Sequence, residues 1–467
     1  MERRTFLKAT AATALGTAAM QEPLWGMAHS GGRKKKIALV GTGIRGIGLW
    51  GQELQRGYGD LVEFVGLCDK NPGRLELAKQ AIGIQCRVYT DFEQMMAETR
   101  PETVIVTTVD ATHHLFIIRA MELGADVITE KPLTTDETKC EAILEAEKRT
   151  GRVCTVAFNY RYGTLFTAIK EELAKNPIGP LNSVDFNWYL NVYHGASYFR
   201  RWHGERAHSG TLLVHKATHH FDLLNWFIEA DPVEVMAYGS LEHYGKNNPF
   251  RGKNCRTCPH QSQCDYYWDI REDQVAMELY AKNEHHDGYI RDNCLWRPEI
   301  DIFDKMSVQI KYANDVLVNY SLTTYSPYEG WKIAFNGKTG RMESWEDLPW
   351  RAGEKLDQAQ LHAAEMSQSE QEAARYDEIF LMKNFSKDYE IKKVRTAASG
   401  HGGGDNRLLD RIFRNAAAPD PYGHAAGTRD GAMSCLIGIA ARKSIDEHRP
   451  IRIEDLTSIK PHPRRGR

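Results

Sequence analysis

The sequence lacks both a charge imbalance and a long hydrophobic run, and each absence excludes a class of partner. Its 60 Lys and Arg residues nearly balance 62 Asp and Glu residues, which leaves a formal net charge of −2. This balance provides no long-range field that favours nucleic acid or an anionic membrane. No apolar run approaches the roughly 20 residues that span a bilayer. The 467 residues are enough for two or three domains, each with its own core.

The first 32 residues have the composition of an export signal. Arg3 and Arg4 come first, an apolar run leads from Ala9 to Met20, and polar and glycine-rich residues follow. This order describes a secretory signal, and the pattern RRTFLK resembles the twin-arginine type. We therefore expect residues 1–32 to be a signal peptide and the protein to be exported, for example to the periplasm. An ordinary cytosolic tail is the alternative.

A glycine-rich loop follows the first predicted strand. The β-rich run KKIALV leads directly into Gly41-Thr-Gly43-Ile-Arg-Gly46. The first glycine permits a tight turn, the second lets the backbone approach a pyrophosphate, and the third lets the helix pack on the strand. The phosphates are expected at the helix N-terminus, where unpaired N–H groups favour an anion. The loop predicts a dinucleotide site.

The second predicted strand indicates which dinucleotide binds. It reads VEFVGLCD and ends in Asp69, 23 residues beyond Gly46. A carboxylate at this place suits the ribose hydroxyls of NAD and repels the additional phosphate of NADP. NAD is therefore the favoured cofactor, although Lys70 and Arg74 lie close enough in sequence to weaken the preference.

Strand-like and helix-like segments continue to alternate up to about residue 156. The later β-rich runs are TVIVTTV, ADVITEKP and VCTVAFN, with helical segments between them. This alternation predicts a doubly wound parallel sheet, in which ligands bind beyond the carboxyl ends of the strands. Glu130, Lys131 and Pro132 fall at such an end, and the lysine is expected to face the nicotinamide. The positive charge of the bound cofactor should lower the pKa of this lysine.

These motifs, at these spacings, resemble the glucose–fructose oxidoreductase / inositol dehydrogenase family, often written Gfo/Idh/MocA. The glycine loop, Asp69 and the EKP tripeptide match, and His113 stands where the family usually has a histidine. The match continues in VAFNYRY and in the closing DGAMSCLIGIAARKSIDEHRPIRIEDL. The resemblance implies an α/β protein with a Rossmann domain over residues 33–156. It further implies an α+β domain over residues 157–467, with a large, mostly antiparallel open sheet through which the protein forms a homo-oligomer.

The resemblance also implies which residues hold the cofactor. They come from the glycine loop and from segments that follow the strands of the first sheet. These positions surround a dinucleotide that lies across the strand tips. The expected cofactor-binding residues are Gly41, Gly43, Ile44, Arg45, Gly46, Asp69, Thr108, His113, Glu130, Lys131 and Asn159.

Two histidines in the run SGTLLVHKATHHFDLLNWF are expected to be catalytic. Family dehydrogenases usually have Asp-x-x-x-His here, and the chain matches at His219 but has His215 in place of the acid. Four residues apart on a helix, the two side chains share one face. His219 is expected to accept the hydroxyl proton while Lys131 polarises the reacting oxygen or shares the proton. Because no acid is evident, the two roles stay exchangeable. A structural or metal-binding pair is the alternative.

A sugar-binding surface is predicted from aromatic and forked polar side chains. Such groups suit the apolar and hydroxyl faces of a sugar ring. The glycine-rich run GHGGGD adds a histidine on a loop that can approach a ligand. An ordinary structural role is the alternative for each residue. The predicted substrate-binding residues are Arg161, Tyr162, Tyr198, Trp202, His219 and His401.

Four of the nine cysteines are grouped in an insertion around residues 245–295. They are Cys255, Cys258, Cys264 and Cys294, whereas the other five lie in contexts that indicate buried thiols. The four spacings are compatible with a structural zinc site. Two disulfides are equally compatible if the protein reaches an oxidising compartment. In either case the cluster is expected to staple a loop.

Export and a dinucleotide are compatible if the cofactor is bound tightly and recycled in place. The resemblance then implies an NAD-dependent oxidoreductase that acts on a secondary hydroxyl of a sugar or glycoside. A glycoside hydrolase that works through a transient keto-sugar is the alternative, and a non-catalytic exported sugar-binding protein is a third. The oxidoreductase is favoured because the lysine of the EKP tripeptide is kept.

Overall fold

Two β-sheets organise the chain. The computed structural model describes residues 33–350, 357–360, 362, 375–396 and 400–464, and the predicted signal peptide lies outside these ranges. One sheet has six strands and the other has nine. Within the described ranges no helix is both long and apolar enough to cross a bilayer.

The six-stranded sheet is parallel throughout. Its strands are β1 (Lys35–Val40), β2 (Val62–Cys68), β3 (Arg87–Tyr89), β4 (Thr103–Val106), β5 (Asp126–Thr129) and β6 (Cys154–Val156). They lie in the order β3-β2-β1-β4-β5-β6. The central strands are nearly continuous runs of buried apolar residues, because helices cover both faces. The predicted doubly wound sheet is confirmed.

The helices between these strands begin at recognisable caps. The side chains of Asn71, Asp91 and Asp136 each accept a hydrogen bond from a backbone N–H in the first turn. Gly83 and Gly151, both with positive φ, end two of the helices. The helices are α1 (46–58), α2 (Pro72–Ile82), α3 (Phe92–Thr99), α4 (His113–Glu122) and α5 (Glu137–Thr150).

The nine-stranded sheet is mostly antiparallel. Its strands are β7 (Leu181–Asn191), β8 (Pro232–Ser240), β9 (Lys305–Tyr312), β10 (Leu317–Ser326), β11 (Gly330–Gly337), β12 (Gly340–Glu346), β13 (Arg375–Lys383), β14 (Tyr389–Thr396) and β15 (Ile451–Arg452). The order is β14-β13-β12-β11-β7-β10-β9-β8-β15, and β7 and β10 are the parallel neighbours. Strand β9 alternates strictly between exposed and buried residues, which is typical of a sheet with one covered face. The predicted open sheet is confirmed.

Several helices of this second half pack against the nine-stranded sheet. The longest of them, at residues 428–447, packs against the helix at residues 217–228 and against β8, and 14 of its 20 residues are buried. The helices are α6 (Thr164–Ala174), α7 (Val192–Arg200), α8 (Arg206–Ser209), α9 (Leu212–His215), α10 (Ala217–Ile228), α11 (Gln274–Leu279), α12 (Glu284–Asp287), α13 (Gly404–Leu409) and α14 (Thr428–Glu447). The long connection between β8 and β9, residues 241–304, contains α11, α12 and the four grouped cysteines. We refer to it as the β8–β9 insertion.

Candidate active site

The glycine loop lies where β1 ends and α1 begins. Gly41 has a φ of +94°, and a Cβ there would lie 2.7 Å from the backbone of Thr107. A Cβ on Gly46 would lie 2.2 Å from the carbonyl oxygen of Gly41. Gly43 borders an open cavity of about 790 Å³, which extends to Lys131. The backbone is therefore built for the close approaches that a dinucleotide loop requires.

Replacing Gly46 with alanine is expected to abolish tight dinucleotide binding. The new methyl group meets the Gly41 carbonyl and forces α1 away from β1. NAD binding, followed by protein fluorescence, should weaken by at least about 100-fold. Gly57→Ala is the matched control, since no atom lies within 4 Å of a Cβ at Gly57. An unchanged affinity in Gly46→Ala would contradict the assignment of this loop.

Asp69 follows β2 and is held by the loop beside it. Its Oδ2 accepts hydrogen bonds from the backbone N (2.8 Å) and the Oγ1 (3.1 Å) of Thr42. Its Oδ1 accepts one from the backbone N of Asn71 (2.9 Å) and lies 3.2 Å from Nη2 of Arg74. These bonds fix the carboxylate on the wall of the cavity, where ribose hydroxyls bind in sheets of this kind.

Arg45 connects the loop to two other segments. Its Nε donates to Glu130 (2.7 Å), and its two Nη atoms donate to Asp405 (2.9 and 3.0 Å). Nδ2 of Asn159 donates to the same Asp405 carboxylate (2.7 Å). The buried Oδ1 of Asn159 has no hydrogen-bond partner among the described residues, and Asn159 lines the cavity. An acceptor without a partner among the described residues therefore lies on a residue of the cavity wall.

The glycine-rich run GHGGGD reaches this network. A Cβ on Gly404 would lie 2.3 Å from the carbonyl oxygen of Asn159, so the approach of the two backbones requires glycine. The side chain of His401, a predicted substrate-binding residue, lies outside the described part of the chain. The run therefore contributes Asp405 to the network with Arg45 and Asn159. The sequence analysis assigned no role to this residue.

His113 and Thr108 lie beyond the carboxyl end of β4. Nδ1 of His113 lies 2.9 Å from the carbonyl oxygen of Pro132, and Nε2 lies 3.1 Å from that of Thr108. Burial lowers the pKa of His113, whereas the two carbonyl contacts act in the opposite direction. The histidine thus contacts both strand ends, the one that carries Thr108 and the one that carries the EKP tripeptide. His113 and Thr108 both line the cavity.

Lys131, Asp110 and His215 lie together in the cavity. Nζ of Lys131 donates to the carbonyl oxygen of His215 (3.2 Å). Nδ1 of His215 lies 2.6 Å from Oδ2 of Asp110. The ring of His203 is 4.1 Å from that of His215, measured between centroids. A candidate base, a carboxylate that orients it and a cation therefore meet at one place.

Burial sets the charge states of this cluster. It lowers the pKa of Lys131 and lowers that of His215 well below the usual range, with the Lys131 charge acting in the same direction on His215. Burial also raises the pKa of Asp110. Each shift favours the neutral form of its group, and a neutral imidazole is the form of His215 that can accept a proton.

The Asp110 contact corrects the expectation that His215 has no acid partner. The carboxylate comes from the run TTVDATHH after β4, 105 residues before His215 in the chain. Asp110 could have been proposed from the sequence, because it follows a predicted strand and lies three residues before His113. The helix is also not continuous: α9 ends at His215 and α10 begins at Ala217, yet His215 and His219 both line the cavity.

His219 faces the cavity from the first turn of α10. Its ring stacks on Tyr160 at a centroid distance of 4.2 Å and meets Phe158 edge to face at 6.1 Å. The side chain is buried among these aromatic rings. The geometry favours His215 over His219 as the base, because a carboxylate orients the His215 ring.

Of the predicted substrate-binding residues, His219 and two others line the cavity, and two do not. Tyr198 and Trp202 lie on its wall. Arg161 is buried in a bidentate ion pair with Asp222, with N–O distances of 2.6 and 2.7 Å, and the neighbouring Tyr162 is buried as well. The structure thus corrects the prediction for Arg161 and Tyr162. The Arg161 guanidinium is paired, as a buried charge requires.

The four grouped cysteines surround one small cavity of the β8–β9 insertion. None of its lining residues lines the cavity of Lys131. All nine cysteines are free thiols. Among the described residues no group of three or more His, Cys, Asp or Glu side chains is arranged to hold a metal ion. The residues as placed therefore fit neither the predicted zinc site nor two disulfides, although the four thiols are gathered as the sequence indicated.

The β8–β9 insertion also covers part of the dinucleotide cavity, which the sequence did not indicate. The Tyr280 hydroxyl accepts a hydrogen bond from the backbone N of Ile44 (3.0 Å), within the glycine loop. Asp287 pairs with Arg74 (2.5 Å) near Asp69. No motif in the insertion predicts these contacts, because they join residues more than 200 positions apart in the chain.

A parallel sheet with a glycine loop, a carboxylate for ribose and a buried lysine at the strand tips defines a dinucleotide-dependent oxidoreductase. Two family models match the chain: "Oxidoreductase family, NAD-binding Rossmann fold" over residues 35–158 and "Oxidoreductase family, C-terminal alpha/beta domain" over residues 170–453. The chain therefore belongs to the Gfo/Idh/MocA family of oxidoreductases, as its motifs predicted.

Individual relatives agree with this assignment. YteT of Bacillus subtilis is 34% identical over 440 residues, which are 90% of this chain and 98% of YteT. Inositol 2-dehydrogenase of Salmonella typhimurium is 27% identical over 42% of this chain, so that the match spans 57% of that enzyme. The Bordetella pertussis WlbA dehydrogenase, crystallised with NADH and UDP-GlcNAcA, has a TM-score of 0.59 at 16% identity over 90% of this chain and 99% of its own. The similarity to WlbA shows that the two proteins share a fold.

Proposed function

We propose that the protein oxidises a secondary hydroxyl of a sugar or glycoside, with NAD as the hydride acceptor. The observation that carries the proposal is the Asp110–His215 pair beside Lys131, in the cavity that the glycine loop also borders. Oxidation of an alcohol needs a base for the hydroxyl proton beside the hydride acceptor. Relatives named as inositol dehydrogenases and a neighbour crystallised with NADH and a nucleotide sugar support this substrate class.

Each residue of the cluster has a distinct part in the proposed reaction. Asp110 holds Nδ1 of His215 and leaves Nε2 as the basic atom that takes the hydroxyl proton. The Lys131 ammonium stabilises the negative charge that develops on the substrate oxygen, since its charge acts strongly in a buried site. NAD, when bound, supplies the hydride acceptor, and Asp69 and the glycine loop hold it.

Part of the cavity wall suits a polyhydroxylated ring. Tyr198, Trp202 and His203 line the cavity, and the rings of Trp202 and His203 stack at 3.6 Å. The buried Nδ1 of His203 has no hydrogen-bond partner among the described residues. Aromatic faces with a free polar atom match the alternating apolar and hydroxyl surfaces of a sugar.

The experiment that tests this function follows products and nucleotide together. Purified protein is analysed for co-purifying nucleotide by mass spectrometry and then incubated with a panel of glycosides. We expect bound NAD, a keto-sugar and an equal amount of NADH, with continued turnover when an electron acceptor is added. Aglycone release without an acceptor would instead identify a glycoside hydrolase. Absence of any bound or bindable dinucleotide would overturn the proposal.

Export and assembly complete the proposed function. The twin-arginine pattern favours export of the folded protein with its cofactor, and replacing Arg3 and Arg4 with lysine should retain the protein in the cytoplasm. Tyr238 on β8 is 70% exposed and Leu317 on β10 is 54% exposed, which favours a homo-oligomer formed through the open sheet. Light scattering of the purified protein tests this assembly.

A further inference from the structure

We infer that Asp287, in the β8–β9 insertion, makes the dinucleotide site selective for NAD over NADP. The inference rests on the proposed NAD-dependent function and adds a residue outside the Rossmann domain to its cofactor site. The expected effect of Asp287 is to neutralise Arg74, the cation that would otherwise bind the 2′-phosphate of NADP.

The geometry shows that Arg74 is shared between two carboxylates. Its Nη2 lies 3.2 Å from Oδ1 of Asp69 and 2.5 Å from Oδ2 of Asp287. The three side chains are only 8%, 9% and 4% exposed, in that order. All three also line the cavity that the glycine loop borders. The pairing is therefore a built part of the site and is protected from solvent.

The position of Arg74 suits a phosphate on the adenosine ribose. Arg74 lies in the first turn of α2, just beyond the carboxylate that is expected to bind the ribose hydroxyls. An arginine at this place accommodates the 2′-phosphate in NADP-binding proteins of this fold, because guanidinium recognises phosphate through paired N–H donors. The residue that favours NADP is thus already present in the Rossmann domain.

A count of charges shows what Asp287 changes. Arg74 and Lys70 bring two positive charges, and Lys70 lies 4.0 Å from Asp287. Asp69 and Asp287 bring two negative charges, so the group is neutral with Asp287 and carries +1 without it. The 2′-phosphate adds about −1.5 to −2 charge at pH 7. Asp287 therefore opposes NADP both by occupying Arg74 and by repelling the phosphate.

Asp287 has structural contacts that its substitution must respect. Its Oδ1 accepts a hydrogen bond from the backbone N of Tyr289 (3.2 Å). Asparagine keeps the size and an oxygen acceptor, so Asp287→Asn removes the charge with little change in shape. Asp287→Ser provides a second neutral variant if the first fails to fold.

The test measures binding of NAD and NADP to the full-length protein, stripped of nucleotide, by titration calorimetry without sugar. Asp287→Asn is expected to raise the affinity for NADP relative to NAD by about tenfold or more. Asp287→Glu should keep the wild-type ratio. Adding Arg74→Met to Asp287→Asn should remove the gained NADP affinity, which identifies Arg74 as the phosphate partner.

Glu278→Gln is the matched control. Glu278 lies on the same insertion, pairs with the surface residue Lys282 and does not line the cavity. The ratio of NADP affinity to NAD affinity in Glu278→Gln should therefore equal that of the wild type. An NADP-to-NAD ratio within twofold of the wild type in folded Asp287→Asn and Asp287→Ser would overturn the inference alone. Failure of the wild-type protein to bind either dinucleotide would overturn the proposed function as well.

Discussion

Replacement of Lys131 with methionine is expected to lower kcat by about 10³- to 10⁴-fold. The methionine fills a similar volume but removes the ammonium that lies beside His215 and faces the reacting oxygen in the proposed function. Loss of one positioned acid–base group typically costs about 10²- to 10⁴-fold, and loss of a buried charge that stabilises an oxyanion falls in the same range. Single-turnover reduction of bound NAD, followed at the absorbance of NADH, measures the effect.

Lys139 provides the control for this substitution. It pairs with Asp136 at the start of α5 and does not line the cavity, so Lys139→Met should leave the rate unchanged. NAD binding should persist in Lys131→Met, because the glycine loop and Asp69 are untouched. A Lys131→Met variant that binds NAD and reduces it at the wild-type rate would remove Lys131 from the proposed mechanism.

Substituting Asp110 with asparagine is expected to lower kcat by about 10²- to 10³-fold. The amide keeps the volume, but its NH₂ group can donate to Nδ1 of His215 and fix the tautomer whose Nε2 carries hydrogen. That tautomer cannot take a proton from the substrate. An Asp-to-Asn change beside a catalytic histidine acts in this way in serine proteases.

The pH dependence distinguishes this role from a merely structural one. In the wild type the rate should fall at low pH, where the Asp110–His215 pair takes up a second proton and Nε2 is no longer free. Removal of the carboxylate charge disfavours the imidazolium, so in Asp110→Asn the remaining activity should decline at a lower pH than in the wild type. Asp446→Asn, which alters an exposed ion pair with Arg206, is the control. An unshifted profile with full activity would refute the role of Asp110.

The first sheet and its loop could be predicted from the sequence because their signals are local. Each strand of the Rossmann sheet is a short apolar run followed by a helical segment, and Gly41 and Gly46 stand at fixed places in one loop. The structure explains both glycines by contacts within this loop or with the next strand end. Lys131 was predictable for the same reason, since a strand terminus fixes its place.

The partners of these residues could not be predicted, because they come from distant parts of the chain. Asp110 meets His215 across 105 residues, and Asp287 meets Arg74 across 213 residues. No periodicity or spacing specifies such pairs, which depend on how the two sheets and the β8–β9 insertion are arranged. In both cases the partner of a charged or titratable side chain becomes visible only in the tertiary structure.

Arg161 shows the opposite failure. Its sequence context, NYRY, combines aromatic and forked polar groups and resembles a ligand-binding surface. In the fold the guanidinium is saturated by Asp222 and by Asp430, at 3.1 Å, and it is inaccessible to substrate. Composition cannot distinguish a buried ion pair from an open binding group, since both need the same residue types.

The Arg45–Asp405 and Arg74–Asp287 pairs latch the two halves of the molecule together at separate points along the cavity. Because Arg45, Arg74 and Asp287 line the cavity, we expect these ion pairs to slow dissociation of the nucleotide in the proposed function. A nucleotide that stays bound would make oxidation of one substrate and reduction of the next two half-reactions of the proposed enzyme. Steady-state measurements with varied donor and acceptor should accordingly give the parallel lines of a ping-pong scheme.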